Sequence, residues 1–146
     1  MCEHLIPDLL ITSLNIVSHP KGYIYHALRA SSPGYDGFGE AYFSTISQGL
    51  TKGWKRHNRL ALNLVVPVGG IRFVVYDDRA GSYSTGRFAD IRLGININYA
   101  RLTVPPGLWV AFHGIDVFNL LMNVIAEEHD PLESDNIPLE QIDYSW

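Results

Sequence analysis

Leu60-Ala61-Leu62-Asn63-Leu64-Val65-Val66-Pro67-Val68-Gly69-Gly70-Ile71-Arg72-Phe73-Val74-Val75-Tyr76 is the stretch whose reading decides the fold. Two runs rich in branched and aromatic residues flank Val68-Gly69-Gly70, which reads as two strands joined by a turn. The second run, Phe73-Val74-Val75-Tyr76, is apolar on both faces of an extended strand. Such a strand is buried on both sides, as in two packed sheets or at a dimer interface.

The same punctuation recurs outward from this stretch. Pro20-Lys21-Gly22, Ser32-Pro33-Gly34-Tyr35-Asp36-Gly37, Gln48-Gly49, Asp78-Arg79-Ala80-Gly81, Pro105-Pro106-Gly107 and His113-Gly114 all read as turns. Between them, residues 23–28, 40–44 and 108–112 have strand composition, and little helical periodicity intervenes. Many short strands at this spacing predict an all-β sandwich or barrel. Residues 1–17 fit either a short helix or a leading strand. The acidic tail, residues 129–146, is expected to wrap the barrel.

The chain has 146 residues, 47% apolar and 18% charged, which fits one globular domain over residues 1–146. Its net charge of −4 argues against a nucleic-acid partner, since phosphate binding needs clustered Lys and Arg. Residues 107–126 are nearly uncharged and about the length of a membrane span. The turn-like His113-Gly114-Ile115-Asp116 divides them, so they read as two buried strands and not as a span. Cys2 is the single cysteine, so no intrachain disulfide forms. With no signal-peptide pattern at the start, a cytoplasmic location is expected.

The six histidines, His4, His19, His26, His57, His113 and His129, invite a metal reading. Two histidines one residue apart on a strand would put both imidazoles on one face, where they could share a metal. No such pair exists here. In Lys55-Arg56-His57 a lysine holds the first position and repels a cation, so neither metal nor cofactor is expected. No nucleophile elbow, phosphate loop or dinucleotide fingerprint occurs.

The basic segment from Lys52 to Arg59 carries the most chemistry. In an extended strand Lys55, His57 and Arg59 share one face, and Trp54, Arg56 and Asn58 the other. Turned into a barrel, the first face gathers two cations and a histidine, suited to a diphosphate or to an enolate oxygen. A proton beside a ketone needs a base that titrates near neutrality, which His57 or a buried Lys55 supplies. Turned outward, the segment is a solvated edge strand.

At these residues the sequence resembles the dTDP-4-dehydrorhamnose 3,5-epimerase family and the related dTDP-sugar isomerases. The resemblance lies in Phe38-Gly39-Glu40-Ala41-Tyr42-Phe43-Ser44 followed by Lys52-Gly53, in Leu64-Val65-Val66-Pro67-Val68-Gly69 and Ile71 to Tyr76 followed by Asp77-Asp78-Arg79, in Pro105-Pro106-Gly107, and in Ala126-Glu127-Glu128-His129-Asp130. It implies a double-sheet jelly-roll barrel of the cupin type, a homodimer, and a pocket for a nucleoside-diphosphate sugar. It also implies a role in deoxysugar and surface-polysaccharide biosynthesis, as an isomerase acting on a 4-keto sugar nucleotide. Lys55 falls where the family carries its basic histidine, Val110 where it carries a second one, and Val124 or Ile125 where it carries a tyrosine. Catalysis is therefore expected from Lys55 and His57. Lys52, Arg56, Arg59, His26, Glu40, Tyr42 and Trp109 are expected to bind substrate. The alternative is a non-catalytic barrel that binds a nucleotide sugar or a carbohydrate.

Overall fold

The computed structural model describes residues 6–146. Its strands in chain order are β1 (Leu10–Ser13), β2 (Ile16–Val17), β3 (Ile24–Tyr25), β4 (Glu40–Ser47), β5 (Thr51–His57) and β6 (Leu62–Val68). They continue as β7 (Gly70–Tyr76), β8 (Phe88–Gly94), β9 (Ala100–Val104), β10 (Trp109–Gly114), β11 (Phe118–Ile125) and β12 (Ser134–Asn136). One five-stranded sheet has the order β1-β9-β6-β11-β4, a second the order β12-β5-β10-β7-β8, and β2-β3 form a separate ribbon. The fold is all-β, a double-sheet barrel of the cupin type, as expected.

The stretch that decides the fold does so by changing sheets. β6 and β7 are joined by a tight turn but pair with different partners, β6 in the first sheet and β7 in the second. Gly69 makes that corner with φ +78°, and a Cβ there would run into the carbonyl of Phe118. Asn119 fastens the corner by accepting the Gly70 N–H at 3.0 Å.

Between the sheets, Leu62, Leu64 and Val66 of β6 meet Phe73 and Val75 of β7 in the main core. Val74 points the other way, into a second cluster with Trp54, Trp109 and Ala111. The tail covers that cluster, with Ile137, Leu139, Tyr144 and Trp146 packed against it. This is why Phe73-Val74-Val75-Tyr76 has no polar face: one side meets the other sheet and the other side meets the tail. Trp54 is fully buried there, and its Nε1 donates to the Leu139 carbonyl at 3.0 Å. The tail therefore wraps the barrel as its composition suggests.

Residues 107–126 contain β10 and β11, two strands joined by a short turn. Among the described residues no helix is long and apolar enough to cross a membrane. The open reading of residues 1–17 resolves to strands from Leu10 onward. Cys2 and His4 lie outside the described residues. Residues 23–28 are less regular than expected: only Ile24 and Tyr25 pair, and Tyr23, Ile24 and Tyr25 are exposed.

Candidate active site

The sheets enclose a cavity of about 310 Å³ near one edge of the barrel, lined in part by Tyr42, Lys52, Lys55, His57, Phe112 and Asn123. The basic strand thus faces inward, in keeping with the first of the two orientations its pattern allows. Lys55 pairs with Val110 and Lys52 with Phe112 across β5 and β10, with a register shift between them. Three residues of β5 oppose two of β10, a bulge that puts Lys52 and Lys55 on one face although strict alternation separates them. Gly53 fits this bulge because a Cβ there would meet the Ala111 Cβ.

His57 is 6% exposed, and its Nδ1 lies 2.5 Å from Glu133 Oε1. Glu133 sits in a 3₁₀ turn, Pro131–Glu133, which Asp130 caps by accepting from the Leu132 N–H. The other oxygen of Glu133 accepts the backbone N–H of Arg59 at 2.7 Å and of Leu60 at 3.0 Å. Burial pushes the Glu133 pKa up, but the Arg59 N–H, the His57 hydrogen bond and the Leu60 N–H outweigh it and hold the carboxyl below its ordinary value. An ionised carboxylate only accepts, so Nδ1 carries the proton and Nε2 is left as the basic nitrogen. Nε2 has no hydrogen-bond partner among the described residues.

Lys55 is half-buried, and its ammonium has neither an ion pair nor a hydrogen bond among the described residues. Lys52, exposed at the mouth, donates to the Thr45 carbonyl at 2.7 Å and lies 5.8 Å from the centre of the Phe112 ring. From the facing sheet, Tyr42 and Asn123 stand opposite each other on β4 and β11, and the Asn123 amide donates to the Tyr42 hydroxyl at 2.9 Å. Since that hydroxyl already accepts, its own proton is free to donate into the cavity.

The other expected ligand-binding residues are not brought to this cavity. Arg56 lies on the outer face, 4.5 Å over the Trp109 ring, with Asp135 bonded to its guanidinium at 2.9 Å. Trp109 shares that outer face and donates from Nε1 to Asp78 at 3.0 Å. Strand alternation explains both: Arg56 and Trp109 are direct partners across β5 and β10, one step out of phase with the inner face. Arg59 lies beyond the end of β5, where its guanidinium pairs with Glu127 at 2.8 Å, so the expectation that it shares a face with His57 fails. Glu40 accepts the His129 N–H at 2.9 Å and anchors the tail. His26 lies beside a different cavity, on the outer face of the first sheet. Glu133, Asn123 and Asn136 were not singled out from sequence. The signal for Glu133 was a single carboxyl in an acidic tail, and only the return of that tail onto β5 brings it to His57.

Among the described residues, no three His, Cys, Asp or Glu side chains are grouped so as to hold a metal ion. No protein-family model matches the chain, and neither does any curated protein. Solved structures do. A dTDP-sugar isomerase from Desulfovibrio desulfuricans is 34% identical, with a TM-score of 0.93, over 100% of this chain and 95% of its own. A 3'-monoepimerase from Streptomyces bikiniensis, solved with dTDP, is 19% identical with a TM-score of 0.83, over 96% of this chain and 74% of its own. A dTDP-6-deoxy-D-glucose-3,5-epimerase from Legionella pneumophila, solved with dTDP-4-keto-L-rhamnose, is 18% identical with a TM-score of 0.77, over 90% of this chain and 78% of its own. The last two show the fold, and the first, matched end to end, shows the family: the chain belongs to the dTDP-sugar isomerases of the dTDP-4-dehydrorhamnose 3,5-epimerase-like group.

Proposed function

We propose that the protein is an isomerase or epimerase of a dTDP-4-keto-6-deoxyhexose, working by proton transfer at a carbon beside the C4 ketone. The observation that carries the reading is a carboxylate-oriented histidine, His57, sharing a cavity with the unpaired cation of Lys55. His57 Nε2 takes the proton from carbon, and the electron pair moves onto the ketone oxygen as an enolate. The Lys55 ammonium offsets that negative charge and can supply a proton to the oxygen. Tyr42, on the opposite sheet, is the donor on the far side of the sugar. Return of a proton from the Tyr42 side inverts the carbon, whereas return from His57 to the former carbonyl carbon, with the C3 hydroxyl giving its proton to the Lys55 amine that protonated the ketone oxygen, moves the ketone. Lys52 at the mouth attracts the diphosphate as a point charge.

The reading extends to a homodimer in deoxysugar biosynthesis. It rests on the family resemblance of the sequence and on the exposed apolar ribbon of Ile16, Val17, Ile24 and Tyr25.

A second reading, a binding barrel without turnover, is favoured by Val110, an apolar side chain in the cavity wall where the resemblance puts a histidine. Conversion separates the two. The protein is incubated with dTDP-4-keto-6-deoxyglucose and the sugar products are resolved by NMR, with dTDP affinity measured alongside by calorimetry. A new isomer supports the enzyme. Binding of dTDP without any new isomer supports the binding barrel, and absence of both outcomes removes both readings.

A further inference from the structure

We propose a second binding site, for a phosphate-class oxyanion, on the outer face of the β1-β9-β6-β11-β4 sheet, built on Arg101 and Arg29. It lies in a cavity of about 240 Å³ between the end of β1 and residues 26–32, lined in part by Thr12, Asn15, His26, Arg29, Ser32 and Arg101. No Asp or Glu lines it. In a chain with 15 acidic and 11 basic side chains, a cavity walled by two arginines, a histidine and hydroxyls runs against the composition.

Arg101 is the telling residue. It is 1% exposed, and every partner of its guanidinium is neutral: Asn63 Oδ1 at 3.2 Å from Nε, the Ala27 carbonyl at 3.0 Å from Nη1, and the Pro33 carbonyl at 2.6 Å from Nη2. The ion-paired arginines behave differently, since Arg56, Arg59, Arg72 and Arg79 each hold at least one carboxylate. A guanidinium has five N–H groups, so two remain after these three bonds. A buried charge without a counter-ion is costly, and an anion supplied from solution removes that cost. Burial acts on Arg101 unopposed and draws its pKa below the ordinary value, as it must where no carboxylate faces it.

The wall of the cavity is held in place by the same cation. The two carbonyls that Arg101 binds, Ala27 and Pro33, bracket residues 28–32. Within that loop Ser32 Oγ accepts the Arg29 N–H at 2.9 Å and fixes the turn. The Arg29 guanidinium itself is exposed and has no partner among the described residues. One buried and one free guanidinium, with hydroxyls between, match the several acceptor oxygens of a phosphate better than the two of a carboxylate. The cavity is also smaller than the one between the sheets and separate from it, so the site stands independently of the proposed isomerase chemistry.

Two-dimensional amide NMR of the full chain at constant ionic strength tests this, with inorganic phosphate and acetate titrated into wild type, Arg29→Gln and Lys52→Ala. Arg29 is exposed and unpaired, so its substitution leaves folding intact. Phosphate is expected to shift the amides of residues 26–32 saturably, with affinity at least tenfold lower in Arg29→Gln and unchanged in Lys52→Ala. The proposal is overturned by equal phosphate affinity in wild type and Arg29→Gln, by shifts confined to the cavity between the sheets, or by acetate binding as well as phosphate.

Discussion

Glu133 holds His57 with one carboxylate oxygen, Nδ1 to Oε1 2.5 Å, and clamps the backbone N–H groups of Arg59 and Leu60 with the other. A residue from the C-terminal tail thus fixes both the tautomer of the histidine and the path of the chain leaving β5. Function and fold meet in this one side chain.

Glu133→Gln keeps the size but has one acceptor oxygen where Glu133 uses two, so its amide N–H groups face either the His57 Nδ1–H or the Arg59 and Leu60 N–H groups, and it removes the negative charge. Turnover is expected to fall by about 10–10²-fold with KM little changed. Glu133→Ala strands the His57 Nδ1–H and the Arg59 and Leu60 N–H groups together and is expected to cost about 1–3 kcal/mol in a denaturant titration. Equal kcat for wild type and Glu133→Gln would contradict the orienting role.

Lys52 and Lys55 face one cavity but are expected to fail differently. Lys52→Ala removes a cation at the mouth, so KM for a dTDP-sugar rises and its salt dependence shrinks while kcat holds. Lys55→Met removes the cation beside the histidine, and kcat falls about 10²-fold or more. Steady-state kinetics at two ionic strengths distinguish these outcomes, and identical effects would refute the division of labour.

Trp54 is fully buried between β5 and the tail, bonded to Leu139 and ringed by Val74, Trp109 and Trp146. Trp54→Ala is expected to destabilise the fold by about 3–5 kcal/mol and to loosen the tail. Chemical denaturation together with limited proteolysis after residue 129 measures both effects. A loss below about 1 kcal/mol would mean that the tail does not depend on this contact.

Acid stability should track two buried carboxyls. Asp77 accepts from Arg79, Ser82 and Ser84, and although burial pushes its pKa up, these bonds hold it far below the ordinary 3.8. Glu133 lies below its ordinary 4.5 for the reasons above. Both folded values are depressed, so their contribution is complete above the ordinary values and is lost as pH falls through the folded ones. Denaturant midpoints are therefore expected to fall progressively between pH 4.5 and pH 2, with a shallower fall in Asp77→Asn. A midpoint flat across that window would contradict the assignment.

Much of the fold is legible in the sequence because β-sheet periodicity is local. The apolar runs of β6 and β7, the glycine corner at Gly69 and the paired strands of residues 107–126 follow from neighbours in the chain. That Lys55 and His57 share a face is legible for the same reason, but not the direction of that face, since the same pattern fits an outward edge strand. Less legible were β8 and β9, where polar residues such as Asp90, Arg92 and Arg101 interrupt the apolar pattern. Arg59 was misplaced because β5 ends before it, and Arg56 and Trp109 because their chemistry outweighed their phase in the strand. The inward placement of Lys52 depends on a bulge, and that of Glu133 on a contact spanning 76 residues. Neither is encoded in local periodicity.

The central claim is that His57 removes a proton from a carbon beside a ketone. Its most direct test is solvent deuterium uptake, with dTDP-4-keto-6-deoxyglucose incubated in D₂O and the ring positions read by NMR and mass spectrometry. Wild type is expected to place deuterium at C3 or C5, or to transfer the ketone between C3 and C4, and His57→Gln to lose at least about 10²-fold of that rate while still binding dTDP. Wild-type protein that binds dTDP yet neither exchanges a carbon-bound proton nor moves the ketone would contradict the claim, as would exchange at the full rate in His57→Gln.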